Sequence, residues 1–440
     1  MEENNSLNDM ISPDWGSQMH LFASKMFPIC RSLTGNGVRE TLKIIKGLIP
    51  ELKIHEVPTG TKVFDWEVPN EWNIRDAYIL NSNGKKIVDF KKNNLHVMSY
   101  STPINTEMDL EELNKHLYSR PDLPEAIPYV TSFYKKAWGF CISEVQRRSL
   151  KEGKYKVVID SELAPGSLTY GEVILPGASK KEIFFSTYVC HPSMGNNEIS
   201  GPTVTSFLAK YVKSLKNQKY TYRLIFIPET IGSITYLSKN LNHLKNQMVA
   251  GYNLSCVGDN RQFSFIPSRN GKELSDKIAL HVLNNHVDSF VSYPFLESGS
   301  DERRYCSPGV DLPVSSVLRT RYGDYPEYHT SLDDLTVVTK EGLQGAFSIY
   351  SKIIRVLEKN ENYKINTLCE PQLGKRGLYP STSTGGKDIW CEVKNLINFI
   401  SYADGQNDLV DIADILNVSA VELFQIIDEL SKNDLLGIKQ

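Results

Sequence analysis

Two apolar runs limit most strongly what this chain can fold into. Glu182–Tyr188 (EIFFSTY) and residues 222–227 (YRLIFI) are almost continuously apolar, and a helical pattern over 202–215 lies between them. A strand with one wet face alternates apolar and polar residues, so runs of this kind read as strands covered on both sides. Strand, helix and strand in that order make the unit of a parallel sheet. Further strands are expected at 155–160, 169–175 and 251–257, and helices at Leu274–His286 and 341–357. The fold class is therefore α/β, a mainly parallel or mixed sheet flanked by helices, with ligands at the carboxyl ends of strands.

Those carboxyl ends carry chemistry. Cys190-His191-Pro192 follows the first run and Pro228-Glu229-Thr230 the second. A histidine locked by a proline is placed to turn a ring nitrogen into a cleft, although a loop histidine bonded to backbone is the plainer alternative. Cys190 and His191 as a catalytic pair are disfavoured, because neighbours on a strand point to opposite faces. Burial would raise the Glu229 carboxyl and make it a general base near neutral pH, and the competing reading pairs it with Arg303 or Arg319.

Asn196-Asn197-Glu198-Ile199-Ser200-Gly201 leads into the helix, where Ser200 reads as a cap. Asn197 and Glu198 each offer an oxygen to a cation, the amide being the poorer zinc ligand. The last group is Asp324-Tyr325-Pro326-Glu327-Tyr328-His329-Thr330-Ser331-Leu332-Asp333. Its Gly, Pro and Tyr neighbours give His329 a defined approach, and Asp301 or Asp333 is expected to hold that histidine's second nitrogen.

Helical spacing over 15–49 gives two helices around the loop 32–37, whereas 53–101 reads as short strands, including one at 96–100, with a turn at Ser82-Asn83-Gly84. Residues 53–120 thus form a small inserted β-rich domain in a main domain built from 1–52 and 121–360. Residues 361–387 read as a linker. Residues 388–440 carry three helical patterns, with Asn417-Val418-Ser419 as a turn that caps the third, as in a winged helix-turn-helix. The seven cysteines are scattered without CxxC spacing, which argues against a disulfide framework or a zinc knuckle. No apolar run is long enough for a membrane span, and the polar, acidic first residues do not read as a leader, so a cytoplasmic location is expected.

Taken together these phrases resemble the M28 zinc aminopeptidases, whose landmarks are a histidine after a strand, an Asn-Asp-Asn-x-Ser-Gly turn, Glu-Glu-x-Gly, Asn-Leu-Asp and a final His-Thr. More closely, the whole chain resembles a bacterial family of aminopeptidase-like proteins with a DUF4910 (DUF2172-type) region and a C-terminal winged helix. The phrases that carry this are TKVFDWEVPNEWNIRDAY (61–78), IPYVTSFYKKAWGFC (127–141), CHPSMGNNEISG, PETIGSI, GSDERRYCSPG and EYHTSLDDL. The resemblance implies a zinc-aminopeptidase-like mixed sheet with the inserted domain and the winged helix attached. It implies His191 as the first metal ligand, Glu229 as general base and His329 as the last ligand.

Other positions depart from the pattern. Asn197 stands where the M28 turn has its metal-bridging aspartate, Thr230 replaces the second glutamate, and Ser255 replaces the later aspartate. Tyr188 stands where the closer family has a histidine. The metal set is then His191, Asn197 and His329, with Glu198 or Glu229 as the alternative source of the third donor oxygen, around at most one zinc ion. The activity implied is hydrolysis of a peptide or small amide, and the alternative is a non-catalytic binding protein on the same fold. A second copy of the chain, met through the C-terminal module, is the other expected partner.

A third reading, a transcription regulator, meets an electrostatic objection. Net charge is −3, acidic residues outnumber basic ones after 387, and 420–430 contains no Lys or Arg. Phosphate contacts supply most non-specific DNA affinity, so the module lacks the charge for it. An anisotropy titration with duplex DNA at about 50 mM salt is expected to stay flat; salt-sensitive binding there would restore the regulator reading.

Overall fold

The structure is a computed structural model that describes residues 14–133, 135–378 and 387–439, without the side chains of 387–392. The first thirteen residues, read as lacking a leader, and 379–386 of the expected linker lie outside the described residues. The chain divides into two units, Met1–Ser275 with Val291–Phe347, and Asp276–Phe290 with Ser348–Gln440.

The first unit is organised on an eight-stranded mixed sheet. Its centre is parallel: Glu182–Tyr188 lies between Thr221–Ile227 and Met248–Asn253, and the latter pairs with Val314–Leu318. Every residue of Glu182–Tyr188 is buried, as the uninterrupted apolar run requires. Tyr188 is level with Ile227, so the loops bearing His191 and Glu229 leave the sheet at one edge. There the chain makes a π turn, Gly195–Ile199, before the helix Ser200–Ser214, with Pro202 in its first turn.

Sheet membership differs from the local reading at both ends of the insertion. Lys53–Pro58, expected within the β-rich insertion, pairs antiparallel with Ser167–Leu175 and is a strand of the main sheet. Lys154–Ala164, expected in the main domain, is the central strand of a separate four-stranded sheet ordered Lys86–Asp89, Glu71–Leu80, Lys154–Ala164, Ile104–Asp109. The cause is a matched alternation: Tyr155, Val157 and Ile159 bury one face and Trp72, Ala77 and Ile79 do the same on the partner strand. The strand expected at 96–100 is not a continuous ladder: a 3₁₀ turn, Asn94–His96, in which the Asn93 side chain accepts the Leu95 N–H, takes its first residue, and Val97 and Ser99 make isolated bridges to Phe140 and Thr131.

In the second unit, Asn362–Ile365, expected as linker, pairs with Asp404–Asp408 and Leu436–Ile438. Helices Lys387–Tyr402, Leu409–Leu416 and Phe424–Lys432 complete it, the third preceded by a 3₁₀ turn, Ala420–Leu423. Two reciprocal capping boxes, Asp408 with Asp411 and Ser419 with Glu422, start the later turns. His281 enters the same unit, with Nδ1 2.6 Å from Asp414 and Nε2 accepting the Ala420 N–H at 2.9 Å. No helix among the described residues is long and apolar enough to cross a membrane.

Helix and sheet meet most closely at Gly201, where an added Cβ would press on Thr187 Oγ1 and on the Leu254 carbonyl oxygen. Gly201→Ala is expected to lower stability by about 1–3 kcal/mol through overpacking. Gly47→Ala, in open space on the helix Asn36–Leu48, is expected to be neutral or mildly stabilising. Urea unfolding of both variants checks the contrast.

Candidate functional site

His191 is fixed from behind by charge. Its Nδ1 lies 2.9 Å from Glu198 Oε2, and the other Glu198 oxygen is 3.3 Å from Arg31 Nε. Arg31 and Glu198 are wholly buried. The Arg31 Nε–H is aimed at the His191 carbonyl at 2.9 Å, while its terminal nitrogens donate to the carbonyls of Met26 (2.7 Å) and Pro192 (3.3 Å). Burial pulls the His191 imidazole down, but the Glu198 hydrogen bond and charge outweigh it and hold the ring above its ordinary value. With Nδ1 engaged, Nε2 faces forward, 3.8 Å from Glu229 Oε2.

Cys190 does not point away from His191. The strand ends at Tyr188, so strand alternation no longer governs residues 190 and 191, and Sγ lies 3.4 Å from Nδ1. The donor atoms of Cys190, His191 and Glu198 fall within 4.8 Å of one another. That cluster is nevertheless a poor metal centre. Burial pushes the Cys190 thiol far up, and Arg31 already balances the Glu198 charge.

Glu229 sits on the opposite wall, its side chain 24% exposed to the cleft. Ser300 Oγ donates to its Oε1 at 2.5 Å. Burial, the largest effect, raises its carboxyl pKa, against the pull of His191 and Ser300. The arginine pairing considered from the sequence is overturned: Arg303 donates to the carbonyls of Ser298 and Leu296, and Arg319 to Asp259 O and Asn260 Oδ1.

Thr230 has a left-handed backbone, φ +62°. Its N–H is accepted by Asp301 at 2.8 Å and its hydroxyl accepts from Arg304 at 3.0 Å. Asp301, buried first and repelled by Glu229 second, is pushed up to about 7.

Asn197 is buried, with Oδ1 accepting from the Tyr188 hydroxyl at 3.1 Å; its Nδ2 has no partner among the described residues. Asp333 accepts the backbone N–H groups of Asn196 (2.6 Å) and Asn197 (2.9 Å) and the Tyr325 hydroxyl (3.0 Å). Asp301 and Asp333 therefore secure backbone amides at loop ends and not, as expected, the second nitrogen of His329. Ser200, expected as a plain cap, donates to Asn196 O at 2.5 Å and accepts from Val257 N at 2.9 Å, tying the π turn to the next strand end.

His329 closes the site, its ring centroid 5.5 Å from that of His191. Its backbone is also left-handed, φ +55°, and its ring stacks on Tyr328 at 3.9 Å. Burial, helped by His191, lowers its pKa to about 3, so the ring is neutral at physiological pH. The Tyr129 ring lies against both imidazoles, at 5.2 and 5.1 Å. His191 thus lies beside both Glu229 and His329, and Asn197 is joined to it through Tyr188. Arg31, Tyr129 and Ser300 are not among the residues singled out from the sequence; Tyr129, within IPYVTSFYKKAWGFC, and Ser300, within GSDERRYCSPG, carry a signal there, and Arg31 carries none.

The model of a domain of unknown function, DUF4910, matches residues 20–360, and a winged helix-turn-helix model matches 361–437. A Clostridium acetobutylicum protein, provisionally named for polysaccharide biosynthesis with an aminopeptidase-like domain, is 46% identical over 403 residues, 91% of this chain and 92% of its own. A crystal structure of a provisionally named peptidase from the same organism superposes with TM-score 0.92 at 42% identity, covering 99% of this chain and all of that one. A zinc aminopeptidase from Bacillus subtilis gives TM-score 0.54 at 13% identity, covering 78% and 95%. An M28 peptidase precursor from Shewanella amazonensis gives 0.53 at 13%, covering 84% and 98%. The fold is that of the M28-like aminopeptidases.

The carboxyl of Asp301 yields a pH prediction. An aspartate ionises near 3.9 in the unfolded chain and here near 7, so folding takes up a proton between those values. Its stabilising share is complete below about pH 4 and is lost as pH rises through about 7. Asp301→Asn is therefore expected to gain at least about 1 kcal/mol on the wild type between pH 4 and pH 8, read from urea midpoints.

Proposed function

Because this chain belongs to the DUF4910 family and carries a winged helix-turn-helix module after it, we propose that it hydrolyses a peptide or other small amide in a cleft that takes one zinc ion. The carrying observation is the convergence of His191 Nε2, the Glu229 carboxylate and His329 on one cleft.

The donor set fits a single ion. His329 is neutral, with a lone pair to offer, and His191 keeps Nε2 for the cleft because Glu198 occupies Nδ1. Asn197 supplies the third group. Amide oxygen and nitrogen exchange on a half-turn, so its unpartnered end is available as an oxygen while the other faces the Tyr188 hydroxyl. A second ion does not fit: Thr230 is neutral with the Arg304 guanidinium on its hydroxyl, and Ser255 offers no charge.

When bound, zinc supplies Lewis acidity toward a carbonyl and toward water. The rest falls to the chain itself. Glu229 is held at Oε1 by Ser300, and its free oxygen takes a proton from the attacking water and returns it to the departing amine. Its raised pKa suits that exchange near neutral pH. Tyr129, Tyr188 and Tyr328 wall the histidines and exclude bulk solvent. The names of the relatives, one with an aminopeptidase-like domain and one a peptidase, support this reading.

Metal analysis of purified protein is expected to find up to one zinc per chain, and none in the double variant His191→Ala, His329→Ala. Equal zinc in both would remove the site. On a panel of aminoacyl amides, Glu229→Gln is expected to keep zinc and lose about 10²–10⁴-fold in kcat. Wild type inactive across that panel, with activity gained by Asn197→Asp, would instead establish a binding protein that has lost its bridging carboxylate.

A further inference from the structure

We infer that Glu198, clamped by Arg31, is a positioning residue that sets the ring of His191 for the cleft, and that neither Glu198 nor Cys190 ligates the ion. Two arrangements compete for this corner of the molecule. In one, the compact cluster of Cys190, His191 and Glu198 is itself the metal centre. In the other, the cluster is a support and the ion lies on the far side of the imidazole.

Three observations favour support. The His191 atom that belongs to the cluster is Nδ1, and it is already at hydrogen-bond distance, 2.9 Å, from Glu198 Oε2. Arg31 lies 3.3 Å from the other Glu198 oxygen and is tied to three backbone carbonyls, so a dication there would meet a buried cation that cannot withdraw. Cys190 Sγ is engaged as well, accepting the Glu229 N–H at 3.2 Å. Nε2, in contrast, lies 3.8 Å from Glu229 Oε2, and the His329 ring centroid is 5.5 Å from that of His191.

A carboxylate bonded to one imidazole nitrogen fixes the tautomer and raises the basicity of the other. This compensates for what the cleft lacks. Asn197, Thr230 and Ser255 leave the ion short of negative charge, and the residue after Asn197 returns a carboxylate behind the histidine instead of beside the metal. Arg31 sets a counter-charge 3.3 Å from that wholly buried carboxylate and holds it in place.

The zinc part of this inference rests on the proposed site; the imidazole part does not. Full-length protein with ¹⁵N-labelled histidine, zinc-free and at alkaline pH where the ring is neutral, is expected to show His191 protonated at Nδ1. His191→Asn assigns the signal. In Glu198→Gln the amide oxygen turns to Arg31 and its NH₂ to the ring, so the proton is expected to move to Nε2, and zinc to bind about 10–100-fold more weakly. If that variant does not fold, Arg31→Met with Glu198→Leu removes both charges together and is expected to release the Nδ1 proton likewise. Cys190→Ser is expected to bind zinc as the wild type does.

An unchanged tautomer in the folded Glu198 variants would overturn the inference, as would a zinc loss in Cys190→Ser equal to that of Glu198→Gln. Absence of zinc from wild type would sink the proposed metal site alone, and the tautomer would still decide the role of Glu198.

Discussion

A charged group that is wholly buried has to be satisfied completely or the fold around it fails, and Arg31 is such a group. It lies in the loop between the first two helices, its N–H groups donate to the carbonyl of Met26 at the end of one of them and to those of His191 and Pro192, and its charge lies 3.3 Å from the carboxylate of Glu198. Helix end, strand-end loop and π turn are therefore held by a single guanidinium. Removing it would leave Glu198 buried without a counter-ion, an error that costs about 3–5 kcal/mol in comparable sites.

The cleft in front of that anchor is poor in negative charge. His329 is kept neutral, Asp301 is drawn toward its proton, and the Glu229 carboxylate is held by a serine hydroxyl. Arg304, on the Thr230 hydroxyl, places a positive charge where a second dication would need room.

How much of this was legible depended on whether the responsible pattern was local. Glu182–Tyr188 announced itself because two covered faces write an unbroken apolar run, and the site segments followed directly from its end. The cap at Ser419 is equally local. Partners far apart in sequence were not: nothing near Glu71–Leu80 reveals that its neighbour is Lys154–Ala164, and nothing near Lys53 reveals its place in the main sheet. Asp301 and Asp333 were given to His329 because carboxylates near a histidine suggest that service. The stronger demand came from the backbone amides of Thr230, Asn196 and Asn197, which no side-chain pattern records.

The segment returning from the small sheet runs alongside the loop of His329. Tyr129 N–H bonds the His329 carbonyl, Ser331 N–H bonds that of Ile127, and the Ser331 hydroxyl accepts from Ile127 N–H. These bonds hold a histidine whose left-handed backbone is otherwise unfavourable. Residues 127–129 and the histidine loop are thus bonded as one piece, so lengthening or shortening the connection that enters them from the small sheet is constrained by the geometry of the cleft it seems only to adjoin.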